Sequence, residues 1–98
     1  MKRSFFKLVV LAALLSFVLS GCAYNAAKKE IESAERSFAE LKAAGGEKSA
    51  PYEYCSAESF LQVSKYTFAE NNFKKTKEFA GRSKSASEAG LTEVRKNK

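Results

Sequence analysis

Gly45-Gly46-Glu47-Lys48-Ser49-Ala50-Pro51 interrupts a chain that is patterned for helices on both sides, and that interruption decides the fold. Glycine inside a helix costs roughly 0.5–1 kcal/mol relative to alanine and readily takes the left-handed conformation that ends one. A first helix therefore stops at Gly45-Gly46. Proline has no amide to leave unsatisfied in a first helical turn, so a second helix starts at Pro51, with Ser49 preferred over Ala50 as its cap. Glu47 to Ala50 read as a short polar connection.

Upstream, Ala27, Ile31, Ala34, Phe38 and Leu41 recur at alternating intervals of four and three, with charged residues between them. The spacing predicts an amphipathic helix over 26–43 with a narrow apolar seam, capped by Asn25. Downstream, Tyr54, Ala57, Leu61, Ser64 and Phe68 repeat the pattern over 51–70, and Cys55, Phe60 and Val63 widen the apolar face. Asn71-Asn72 then form a turn, as weak helix formers do.

A third helix over 73–89 sets Phe73, Thr76, Phe79, Ala80, Ser83, Ala86 and Ala89 against a cationic side. Its small buried residues let the helices approach closely, and Phe68 meets Phe73 across the turn. Such a core is thin, so the helix is expected to fray after Gly90, leaving 91–98 as a solvated basic tail. The fold expected is all-α, a small three-helix bundle of antiparallel helical hairpins over residues 26–90.

Ahead of the bundle, Met1-Lys2-Arg3 and Lys7 precede an apolar run from Leu8 to Leu19. These are the charged and hydrophobic parts of an export signal, and the run is shorter than the about 20 residues that span a bilayer. Leu19-Ser20-Gly21-Cys22 follows at once and resembles the bacterial lipobox. There the chain is cut between Gly21 and Cys22, and the thiol becomes the thioether that carries diacylglycerol, with a further acyl chain such as palmitate on the new amino terminus. Three chains exceed the about two signals that make anchoring stable. Residues 1–21 are thus expected to be a cleaved lipoprotein signal peptide and 22–25 a lipidated tether. Ala23 follows the cysteine, where aspartate would retain a lipoprotein at the inner membrane in enteric bacteria. The expectation is the periplasmic face of the outer membrane, with the inner membrane as the alternative.

Without Lys2, Arg3 and Lys7, residues 22–98 carry 14 Lys and Arg against 11 Glu, a mild cationic excess and not a nucleic-acid signature. They contain no His, Asp or Trp. General-base, metal-ligand and nucleophile constellations are built from His, paired carboxylates or an activated Cys, so a non-enzymatic role without a metal or a bound cofactor is expected. With Cys22 lipidated, Cys55 has no intramolecular partner for a disulfide.

The run from Ala34 through Ala43-Ala44-Gly45, Ala50-Pro51-Tyr52-Glu53-Tyr54, Ala57, Leu61, Asn72-Phe73 and Ala80 resembles the small bacterial envelope lipoproteins grouped as domain of unknown function 4398. The second hairpin also resembles a tetratricopeptide unit. The chain departs from that pattern at Ser64, Thr76 and Ser83, where alanine is usual, and at Cys55, where an aromatic is frequent. The resemblance implies alanine-spaced helices and an accessory outer-membrane lipoprotein, found alongside peptidoglycan-binding porin-like proteins, with no assigned activity. A single tetratricopeptide-like hairpin is fewer than the three repeats a solenoid needs.

Three roles follow from the residues. The first is a structural or adaptor lipoprotein that holds an envelope protein partner through an aromatic patch of Tyr52, Tyr54, Phe60 and Tyr66, against the simpler reading that these aromatics form the core. The second is contact with peptidoglycan or lipopolysaccharide phosphate through Lys74, Lys75, Lys77, Arg82 and Lys84, together with Arg95, Lys96 and Lys98, against the reading that they are a solvated face. The third is a thiol-linked dimer or redox sensor through Cys55, against a small buried hydrophobe near the start of the second helix.

Overall fold

The computed structural model describes residues 2–97, with side chains for 3–15 and 21–97. The side chains of Leu19 and Ser20, ahead of Gly21-Cys22, together with Met1 and Lys98, lie outside the described residues. The described residues form four helices and no strand: α1 (Lys2–Ala43), α2 (Gly46–Ser49), α3 (Pro51–Ala69) and α4 (Phe73–Lys96).

The termini of these helices follow the local chemistry closely. α1 ends at Ala43, and Gly45 takes the left-handed conformation at φ 83°. Pro51 opens α3, and the Asn72 side chain caps α4 by accepting from the Lys75 amide at 3.3 Å. Asn71, at φ 61°, makes the tight turn between α3 and α4.

Four expectations are corrected. The first helix does not begin near residue 26: α1 is unbroken from Lys2, so residues 22–25 are helical and Asn25 caps nothing. The seam explains this, because Tyr24 extends the apolar spacing backward by one step and packs on Phe68 and Phe73. The connection 47–50 holds the short helix α2, and the cap residue of α3 is Ala50, without a side-chain bond, in place of Ser49. Residues 91–96 are not a tail. α4 continues to Lys96 because Ser87, Gly90 and Val94 prolong its buried stripe, whereas Ala89 is exposed and Ala86 half-buried. Cys55 and Val63 do not widen the core, since both are exposed.

The pairings fix the direction of each helix. Thr67 meets Thr76 at 3.1 Å and Ser83 donates to the Ala57 carbonyl at 2.7 Å, so α3 and α4 run antiparallel. Tyr24 meets Phe73, Ile31 clusters with Ala80, and Leu41 touches the Gly90 backbone region, so α1 runs parallel to α4. The end carrying Cys22 therefore also carries the α3–α4 turn. The opposite end carries α2 and Asn97, whose Nδ2 donates to the Ser49 carbonyl at 3.0 Å.

Two apolar clusters make the core. Ile31, Ala34, Leu61 and Ala80 form one, flanked by Phe38 and Phe68; Leu41, Ala50 and Val94 form the other, flanked by Tyr54 and Leu91. Around them the interior is lined by hydroxyls of Ser64, Thr67, Thr76, Ser83 and Ser87, all buried. Ser64, Thr67 and Thr76 bond to nearby helix carbonyls, so the close approach of small side chains leaves few bare polar atoms.

Beyond the packed part, side chains 3–15 of α1 are exposed, Phe5, Phe6 and Leu8 among them. Forty-two residues at about 1.5 Å each make a rod of roughly 63 Å, and the molecule measures 73 × 18 × 14 Å. No helix among the described residues is long and apolar enough to cross a membrane.

Candidate functional site

Cys22 is exposed on α1, just before the helix enters the packed part. Two residues on, the half-exposed Tyr24 ring lies 4.9 Å from Phe68 and 5.9 Å from Phe73, and the latter two are 5.7 Å apart. This aromatic cluster closes the Cys22 end. Phe68 and Phe73 meet as their places on either side of the turn imply. Tyr24 stands apart from the seam that begins at Ala27, although its three-residue step to Ala27 carries the signal.

The four aromatics of the candidate partner patch separate into two pairs. Tyr52 and Tyr66 are 78% and 67% exposed. Tyr54 is half-buried against Phe38 at 4.9 Å, and Phe60 stacks on Phe79 at 6.2 Å. Tyr54 and Phe60 therefore serve packing, while Tyr52 and Tyr66 face solvent.

Tyr52 and Tyr66 stand on one stripe of α3. Tyr52, Cys55, Ser59, Gln62 and Tyr66 alternate by three and four, all exposed, with exposed Val63 alongside. Residues at that spacing share a helix face, so the outward stripe of α3 is uncharged, and Glu58 and Lys65, seven residues apart, lie together along one border of it. Lys65 is held by Glu35 of α1 at 2.9 Å. Sequence spacing contains this stripe as plainly as the buried one, but apolar seams attract attention and mixed Tyr, Ser, Gln and Cys do not.

The candidate anion contacts do not form one patch. Lys74, Lys75 and Lys77 are exposed in the first turns of α4, and Lys84 is half-buried farther along. Arg82 pairs with Glu78 at 2.9 Å and lies over the Phe60 and Phe79 rings at 5.9 and 5.5 Å. Its guanidinium covers aromatic faces, as arginine does, in place of standing free. Arg95 and Lys96 are exposed at the opposite end.

An open groove of about 330 Å³ between α1 and α3 is lined by Lys28, Ile31, Glu32, Glu35, Lys65 and Phe68. Its ion pair is solvent-exposed and its walls hold no nucleophile beside a base. Among the described residues no group of His, Cys, Asp or Glu is placed to hold a metal ion.

No family model, curated protein or solved structure matches this chain.

Proposed function

We propose that the mature chain is a non-enzymatic lipoprotein of the bacterial cell envelope, anchored through Cys22 on the periplasmic face of the outer membrane. It holds a partner protein there as a structural or adaptor module. In this reading residues 22–97 form a three-helix bundle of α1, α3 and α4. The observation that carries it is the uncharged outer stripe of α3, where two tyrosines stand exposed on a rigid helix. Tyrosine is enriched in protein interfaces, because a ring with few rotatable bonds supplies large contact area at low entropic cost.

The test replaces Tyr52 and Tyr66 singly with a photocrosslinking residue in the lipidated protein in intact cells. One reproducible envelope protein captured at both positions, and released by Tyr66→Ala, supports the adaptor role. Equal background adducts at both positions and at Glu47 would refute it.

Two observations favour alternatives. Cys55 is exposed on the same stripe, which suits a thiol-linked dimer or redox sensor; a non-reducing gel of the native protein beside Cys55→Ser decides it. Arg95 and Lys96 stand at the end away from Cys22, which suits peptidoglycan contact. Sedimentation with purified sacculi, before and after removal of residues 95–98, reads that directly.

A further inference from the structure

We infer that the Cys22 end of the packed helices is a membrane-docking face, which seats end-on against anionic lipid headgroups through Lys74 and Lys75 around the Tyr24–Phe68–Phe73 cluster. The inference rests on the reading that Cys22 is lipidated and specifies how the anchored molecule stands.

Placement carries the first part. Because α4 runs parallel to α1 with Phe73 beside Tyr24, Lys74 and Lys75 sit at the level of residues 25 and 26 of α1. At about 1.5 Å per residue that is roughly 5–6 Å along the axis from Cys22. Their flexible stems reach the headgroup layer from there while the charge stays in water. Tyr24, half-exposed at the same level, is the kind of side chain that favours a membrane interface.

Charge carries the second part. Residues 22–29 and 66–77, which build this end, hold Lys28, Lys29, Lys74, Lys75 and Lys77 against Glu70. All five lysines are exposed. Residues 40–54 and 91–97, which build the other end, hold four glutamates against four Lys and Arg. The cationic excess is thus gathered at the end that bears the anchor. A membrane carrying negative headgroups complements that end and not the other.

The test reconstitutes the processed protein, with the mass of its lipid on Cys22 first measured, into phosphatidylcholine vesicles with and without phosphatidylglycerol. Each lysine is then acylated by a water-soluble reagent and the peptides are weighed. Labelling of Lys74 and Lys75 should slow about five-fold in the anionic vesicles, the partition gained per surface lysine. Lys48 and Lys96 should be unaffected. The protection should vanish near 1 M salt, where screening acts within about 3 Å. Equal labelling in both vesicles overturns the docking face, as does slowing at both ends, which means the helices lie flat. Protection by added peptidoglycan in neutral vesicles assigns the lysines to the wall and also overturns it. A chain without the lipid mass overturns the anchoring reading itself, a separate failure.

Discussion

Leu41 is fully buried and seated by glycine. A Cβ at Gly90 would lie 2.8 and 2.9 Å from the two Leu41 methyl groups, and one at Gly46 would overlap the same side chain. Gly90→Ala therefore reverses the usual rule. Alanine raises helix propensity by about 1 kcal/mol, yet overpacking here should lower stability by about 1–3 kcal/mol. Leu41→Ala should cost about 2–5 kcal/mol by leaving a cavity. Urea unfolding of the two variants checks both, and a stabilised Gly90→Ala protein would show that Leu41 has another place to go. The buried serines differ in the same way. Ser83 donates to the Ala57 carbonyl across the α3–α4 contact, so Ser83→Ala should cost about 1 kcal/mol. Ser87 Oγ is buried without a partner, so Ser87→Ala should be neutral or stabilise by about 1 kcal/mol.

At the scale of the element, α4 is the helix whose extent matters most, because it packs on both α1 and α3. Its last turns hold Val94, only 4% exposed, beside Leu41 and Ala50. Val94→Ala should destabilise by about 2 kcal/mol through two lost methyl groups, where the same change in a solvated tail would move stability by less than about 0.5 kcal/mol. α3 offers the contrast. Tyr52→Ala and Tyr66→Ala remove exposed rings and should leave the unfolding midpoint within about 0.5 kcal/mol of the parent, so a loss of partner capture by either would report the surface and not the fold.

For the whole molecule, the parallel course of α1 and α4 makes the two ends unlike. Cys55 lies one turn from the start of α3, about 20 Å along the helix from the turn that closes the Cys22 end. A fluorophore on Cys55 of the lipidated protein in vesicles should therefore escape a quencher attached to lipid headgroups. Strong quenching would show the bundle lying along the surface.

The heptad-like spacing of Ala27 to Leu41 and of Tyr54 to Phe68, the glycine stop and the proline start were all legible in the chain, because each acts through its own backbone or nearest neighbours. The length of α4, the helical state of residues 22–25 and the split of the four aromatics were not. A half-apolar side chain such as Tyr24, Tyr54 or Tyr66 suits either burial or solvent, and only the neighbouring helix decides: Tyr54 finds Phe38 and Tyr24 finds Phe68, while Tyr66 finds nothing to cover it. Sequence by itself determined the helical seams and where glycine, proline and asparagine break them. Tertiary structure alone decided which faces remain outward, since burial depends on where a second helix lies.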